Sequence, residues 1–367
     1  MREPGSFWQR FDFILLGAVS LLVVFGILMI ASATRDAVDP DLVNRVPDQI
    51  RFAAVGFVAL LALAALDYRL LAGLSTWLYL VMMILLLLVL LLGVEGDAGA
   101  QRWLNIGIRI QPSEIGKIII IITLANFLAT RYKDLDKFPT VIASLIHLAG
   151  PTVLIFLQPN LGTTIVFVVI WGAIIWGAGL RLRHILMLIG IVLLTLPLLF
   201  TQLRAYQLSR ITTFLDPAAD PDAQYNIDQA LVSIGSGGLL GKGYAAGSQN
   251  TGRFLRVRHT DFIFSVIAHE FGMIGGLSVM ALIGVVLSRI LRGARLAIDP
   301  LGSMICYGVA GMIFFQTVVS IGMNLNVMPV TGLVLPFVSS GGTSLLFTMI
   351  GVGLVQSVIV RRRRIKN

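Results

Sequence analysis

The stretch from Arg256 to Gly272 reads Arg-Val-Arg-His-Thr-Asp-Phe-Ile-Phe-Ser-Val-Ile-Ala-His-Glu-Phe-Gly. Asp261 stands where a long polar segment gives way to an apolar run, with Arg256, Arg258 and His259 just upstream. A carboxylate set where water meets a bilayer, inside a basic cluster, suits work on an anionic, lipid-attached substrate. A plainer reading stands beside this one. Thr260 or Asp261 caps the following helix, accepting hydrogen bonds from its free backbone N–H groups.

Other polar residues sit inside or beside apolar runs. In Gln111-Pro112-Ser113-Glu114-Ile115-Gly116-Lys117, Glu114 and Lys117 are three apart and share a helix face. They read either as a plain helix start, with Ser113 as cap and Lys117 snorkelling outward, or as a pair facing a cavity. Gln158-Pro159-Asn160-Leu161-Gly162-Thr163 makes a tight turn. His269 and Glu270 lie roughly 12–14 Å deeper than Asp261 at 1.5 Å per residue, and Glu270 is expensive there without a partner. Asn324-Leu325-Asn326-Val327-Met328-Pro329-Val330-Thr331-Gly332 is a second polar connection, and Pro336 to Ser344 interrupts an apolar run. Irregular backbone at membrane depth is tolerated where it is buried in protein or lines a wet cavity. These segments therefore predict one polar cavity, enclosed by the outer halves of the fourth, eighth and tenth spans and a long loop.

The elements that position these residues follow from composition. The chain has 367 residues, 57% hydrophobic and 13% charged, with mean hydropathy +0.89. A soluble protein carries roughly 25% charged residues. The fold class is thus an all-α polytopic integral membrane protein. Ten spans are predicted, at 11–32, 50–66, 72–93, 114–130, 138–157, 162–179, 184–203, 262–288, 301–323 and 332–360. Most reach the roughly 20 apolar residues a bilayer needs. They form a single membrane domain over 1–367. Residues 11–32 are too long for a cleavable signal and lack a small-residue cleavage site.

Lys and Arg set the orientation. Arg2, Arg10, Arg69, Arg131, Lys133, Lys137, Arg181, Arg183, Arg289, Arg292, Arg295, Arg361 to Arg364 and Lys366 fall on one side. The opposite short loops hold Arg35, Arg45, Arg51, Arg102 and Arg109. Both termini are expected in the cytoplasm, and the long loop 204–261, between spans seven and eight, outside. The net charge of +9 does not point to nucleic acid. The C-terminal basic cluster suits anionic membrane lipid. Cys306, the lone cysteine, is expected as a small core residue.

The long loop is expected to fold into turns and short interfacial helices. Gly235-Ser236-Gly237-Gly238 followed by Gly241-Lys242-Gly243 lacks the G-x-x-x-x-G-K-[ST] spacing of a phosphate loop. Nucleotide binding is rejected.

Taken together the chain resembles the RodA/FtsW/SpoVE family of shape, elongation, division and sporulation proteins. The resemblance rests on Arg102-Trp103-Leu104, Gln111-Pro112-Ser113-Glu114-Ile115-x-Lys117, the Gln158 to Thr163 turn and His259-Thr260-Asp261-Phe262-Ile263-Phe264. Pro329-x-Thr331-Gly332-x-x-Leu335-Pro336-Phe337-x-Ser339-x-Gly341-Gly342 completes it. Phe214-Leu215-Asp216-Pro217, the glycine-rich stretch and the short tails are more similar to the RodA branch than to FtsW. His269 departs from the family, which usually has an acid there.

What the resemblance implies is a peptidoglycan glycosyltransferase that polymerises lipid II into glycan strands on the outer membrane face during elongation and shape maintenance. It implies a class B penicillin-binding protein as transpeptidase partner and lipid-linked glycan as ligand. The family's essential aspartate falls on Asp261, and its acid and base on Glu114 and Lys117. The chemistry is consistent with that placement. A carboxylate takes the proton of the attacking sugar hydroxyl, while Lys117, Arg210, Arg256, Arg258 and His259 are candidate contacts for the anionic substrate. A helix N-terminus and Arg lower the pKa of Asp261, whereas desolvation raises it. No cofactor is required by the sequence. The alternative role for Asp261 is holding a divalent cation, magnesium or manganese, with the pyrophosphate. Two rivals remain at this stage: a transporter or flippase for lipid II or another amphiphile, and a non-catalytic scaffold for wall synthesis. The absence of an internal repeat counts against the first.

Overall fold

The computed structural model describes residues 6–35, 45–95, 101–105, 109–135, 137–179, 190, 205–216, 220–246 and 259–362. The expected seventh span, 184–203, falls outside the described residues but for residue 190, as do Arg256 and Arg258. In chain order the elements are α1 (Ser6–Arg10), α2 (Phe13–Ala33), α3 (Arg45–Ala65), α4 (Tyr68–Gly73) and α5 (Ser75–Leu92). Strands β1 (Val94–Glu95), β2 (Gln101–Asn105) and β3 (Arg109–Ile110) follow, then α6 (Pro112–Thr130), α7 (Phe138–Leu157) and α8 (Leu161–Gly177). After these come α9 (Ala205–Leu215), α10 (Pro221–Gly237), α11 (Ile263–Leu296), α12 (Pro300–Asn324) and α13 (Gly342–Val360).

Among the described residues, eight helices are long and apolar enough to cross a membrane: α2, α3, α5, α6, α7, α11, α12 and α13. The chain is a multi-pass membrane protein. Most of these helices are apolar on every side, as bilayer helices are. Residues such as Val58, Trp77, Leu91 and Ile146 turn outward, where lipid rather than water meets them. The helices α6, α12 and α13 form the interior, with α13 packed along α3 and α12 along α8 and α11. Lipid gives helices no hydrophobic reason to associate, so close backbone approach matters. At Gly353 a Cβ would lie 2.8 Å from the Leu60 carbonyl oxygen, so the α13–α3 contact requires glycine.

The end of the bundle that carries the basic loops is tied by polar clamps. The Asp12 carboxylate caps α2 at Leu15 N (3.0 Å) and pairs with Arg289 at 2.7 Å. The Asp12 backbone exchanges two hydrogen bonds with the Gln356 side chain. Tyr68 and Arg69 converge on Asp299 at 3.0 and 2.7 Å.

Three features differ from the sequence-based expectation. The last helix begins at Gly342 rather than 332, and residues 333–340 are irregular and mostly buried. A small antiparallel sheet, ordered β1-β2-β3, sits between α5 and α6 in a fold expected to be wholly helical. Finally, α11 extends to Leu296, not 288, and is broken at Gly272 (φ +65°).

The break explains the glycine-rich stretch. Where α11 opens, the His269 and Glu270 carbonyls accept from Lys242 N and Gly243 N (both 3.0 Å). On the other side of the break, Met273 N donates to Gly238 O (2.9 Å) and Ile274 N to Leu239 O (3.3 Å). Residues 238–243 thus replace the lost helical hydrogen bonds, which have no water to turn to at this depth. A Cβ on Gly272 would lie 2.4 Å from Leu239 O, and its φ suits glycine. Part of the long loop is thus built into the helix packing rather than lying apart from it. Helix α10 packs along α11, and beyond it Tyr244 donates to the Leu28 carbonyl of α2 at 3.0 Å.

Candidate functional site

Asp261 lies in the turn 259–262 that leads into α11. Neither it nor Thr260 is the cap expected from the local sequence. Phe262 is the N-cap residue and makes no side-chain cap. The amide of Ser265, in the first turn, donates instead to Asn324 Oδ1 at 3.0 Å. The Asp261 carboxylate accepts from the Thr260 side chain and feels the Arg210 charge. Both groups flank Gly332: a Cβ there would lie 3.7 Å from Arg210 Nη1 and 4.0 Å from Asp261 Oδ2.

These surroundings decide the pKa conflict left open by sequence. Loss of water raises the Asp261 pKa, while Arg210 and the Thr260 bond lower it, and the net direction is upward. The residue keeps partial solvent contact, so its site is a crowded pocket mouth rather than dry core. An upward shift brings a carboxylate closer to the range of an effective general base.

The turn is held by residues far away in sequence. Ser339 Oγ donates to Thr260 O at 2.8 Å and accepts from Leu335 N at 2.9 Å. Ser340 N donates to His259 O at 2.9 Å. The buried Gln49 of α3 donates to Ser339 O and accepts from Gly341 N, both at 3.3 Å. So the irregular segment before α13 is the seat on which the Asp261 turn rests. Sequence reasoning singled out that interruption but not its partner.

Beside Arg210 opens a small cleft of about 30 Å³, partly open to solvent, walled by Arg102, Arg210, the Pro159–Gly162 turn and Pro329 to Thr331. Arg210 Nη1 donates to Val330 O at 2.7 Å, and Arg102 donates to Pro159 O. Two guanidinium groups in one wall suit an anion with several oxygens. Sequence reasoning places Arg102 in a motif and not among the site candidates. The signal was present: it lies on the same sequence-predicted side as Asp261, shortly before the Glu114 helix.

Glu114 and Lys117 pair at 2.7 Å, with side chains 8% and 2% exposed. Lys117 therefore does not snorkel. Gln111 is the N-cap of α6 and Pro112 opens it, so Ser113 is not the cap. The pair does not line the arginine pocket. His259 is buried, with its backbone carbonyl engaged as above. The deeper polar pair has partners that sequence could not name: Glu270 accepts from Ser32 Oγ, and His269 Nδ1 meets Ser236 Oγ at 2.8 Å. Cys306 is fully buried. Among the described residues no three His, Cys, Asp or Glu side chains gather to hold a metal. The charged neighbour acting on Asp261, among the described residues, is the Arg210 guanidinium.

A family described as "Cell cycle protein", comprising FtsW, RodA and SpoVE, matches residues 12–364. Peptidoglycan glycosyltransferase MrdB of Escherichia coli K12 is 37% identical over 363 residues, 98% of this chain and 96% of that one. Stage V sporulation protein E of Bacillus subtilis is 34% identical over 95% of this chain and 96% of its own. A solved chain from a peptidoglycan synthase complex that coordinates polymerization and crosslinking superposes with TM-score 0.82 at 32% identity, over 96% of this chain and 98% of that one. The rod shape determining protein RodA of Thermus thermophilus superposes with TM-score 0.72 at 29% identity, over 96% and 98%.

Proposed function

The chain belongs to the FtsW/RodA/SpoVE family, and from that premise we propose that it is a peptidoglycan glycosyltransferase polymerising lipid II into glycan strands. The observation that carries the mechanism is the Asp261 carboxylate beside Arg210, which walls a small cleft together with Arg102. In the proposed reaction an acceptor sugar hydroxyl approaches Asp261, which takes its proton as the oxygen bonds to the anomeric carbon of the donor. The bond from that carbon to the lipid pyrophosphate breaks, and the leaving group carries the electron pair away as an anion. Arg210 and Arg102 stabilise that charge as it develops. A positioned base contributes typically about 10²–10⁴-fold. No step is routed through a divalent cation. Arg256 and Arg258, outside the described residues, remain proposed substrate contacts, as do His259, Glu114 and Lys117.

A class B penicillin-binding protein is the proposed cross-linking partner, supported by the solved synthase complex whose chain superposes on this one. The transporter reading drew on broken helices. The break at Gly272 is filled by the protein's own 238–243 backbone rather than left facing a substrate path, which weakens that reading.

Purified full-length protein, alone and with such a partner, should convert labelled lipid II into polymer. Movement of lipid II between leaflets without polymer would favour the transporter, and neither activity would leave the scaffold. The proposed orientation puts both termini in the cytoplasm and Asp261 outside, on the Lys and Arg asymmetry. A reporter fused after Asn367 should read cytoplasmic and one near Asp220 external; the reverse would remove Asp261 from the face where strands are made.

A further inference from the structure

Asn324 ends α12 and is fully buried. An amide side chain offers two donors and an oxygen with two acceptor sites, and here all four are used. Nδ2 donates to Asp261 O and to Ser320 O, both at 2.8 Å. Oδ1 accepts from Ser265 N at 3.0 Å and from Ser265 Oγ at 2.7 Å. A helix N-terminus leaves orphan N–H groups, normally met by a Ser, Thr, Asp or Asn just before it. Thr260 and Asp261 are the local residues fit for that task, and neither performs it, because Asn324 supplies the acceptor from another helix.

We propose that Asn324 is a positioning residue for glycosyl transfer. By capping α11 from α12 it releases the Asp261 carboxylate from capping, and by gripping the Asp261 carbonyl it fixes that carboxylate opposite Arg210. The proposal rests on Asp261 being the base. Its logic is geometric: Asn324 does not line the pocket and touches Asp261 only through the backbone. Ser265 N also donates to Phe262 O at 3.1 Å. What Asn324 removal frees is therefore the Asp261 carbonyl and the Ser265 hydroxyl, and the turn that aims the carboxylate at Arg210 loses its anchor to α12. Among the described residues, Arg210 is the charged side chain acting on Asp261, with Thr260 a hydrogen-bond donor to it.

The test uses full-length protein with its transpeptidase partner and labelled lipid II, measuring kcat, KM, the pH–rate profile and thermal unfolding. Asn324→Asp keeps an acceptor for Ser265 but loses both donors. Asn324→Ala removes everything. Ser265→Ala removes one bond and leaves the amide. Ile313→Val, a buried change on the same helix, serves as the packing control. Misplacement by about 1 Å should lower kcat about 10- to 100-fold in the Asn324 variants, with KM moving less than about threefold. Withdrawal from Arg210 also removes a cation that favours the ionised carboxylate, so the acid limb of the profile moves to higher pH. Ser265→Ala should shift the same limb by less.

Loss of rate in proportion to loss of folded protein, with the acid limb unmoved, would overturn the proposal and leave Asn324 a structural cap. Undiminished kcat would do the same. If Asn324→Ala does not fold, the other two variants decide, and an unmoved limb in both sinks the idea. Failure of the underlying reading looks different, since Asp261→Asn would then remain active whatever the Asn324 variants do.

Discussion

Replacing Asp261 by Asn is expected to lower the polymerisation rate by about 10²–10⁴-fold while leaving a folded, membrane-inserted protein. Asn keeps the shape and an acceptor for the Thr260 side chain but cannot take a proton. Stability should not suffer, and the reason follows from the upward pKa direction. A carboxyl whose folded pKa lies above its unfolded value is favoured by folding in its protonated form. Its contribution is fully present below the unfolded pKa and is lost as pH rises through the folded pKa. The native enzyme loses that contribution as pH rises through the folded pKa, whereas a neutral amide has no such loss. Thermal unfolding of the variant at neutral pH should therefore match or exceed that of the native protein. In the native enzyme the acid limb of the pH–rate profile should lie above the ordinary carboxylate range. An active Asn variant would exclude Asp261 both as base and as metal holder.

Neutralising one member of the Glu114–Lys117 pair is the second large effect. Breaking a buried ion pair by removing one charge costs about 3–5 kcal/mol, because the partner is left uncompensated. Glu114→Gln and Lys117→Met should each fall in that range, far beyond the sub-kilocalorie effect of a solvent-facing helix start. The double variant removes both charges and should be less destabilised than the sum of the singles. A double-mutant cycle on thermal stability measures this coupling, and additive singles would contradict the pairing. The same cycle on polymerisation separates two roles. Recovery of both stability and activity in the double makes the pair a structural element of the core. Recovery of stability without activity makes the charges themselves part of the chemistry, with Lys117 the proposed pyrophosphate contact.

What sequence could and could not show divides by distance along the chain. Hydropathy placed the apolar helices because each is apolar through its own residues. It misplaced the start of α13, since Leu333, Leu335, Phe337 and Val338 are apolar yet buried without being helical. Glu114 and Lys117 were legible as neighbours because they sit one helical turn apart. Their burial was not, because it depends on the helices packed around α6. Local sequence could not decide between capping and chemistry for Thr260 and Asp261, because the acceptor that serves α11 lies 59 residues on from Ser265. The partner of Glu270 lies 238 residues away. No periodicity or spacing encodes such pairings.

The break at Gly272 also bears on how the chain is made. As it leaves the ribosome, the 263–296 segment offers 34 helical residues, apolar to Ser288 apart from His269 and Glu270 and then carrying Arg289, Arg292 and Arg295, about 51 Å if wholly helical. That exceeds the roughly 30 Å hydrocarbon layer. The amides and carbonyls that fill the opening come from 238–243, synthesised earlier. The segment therefore enters the bilayer most cheaply as an unbroken helix. It acquires its bend only when α10 docks and brings the glycines against it. Docking of the loop and bending of the helix are then one event, and it follows insertion.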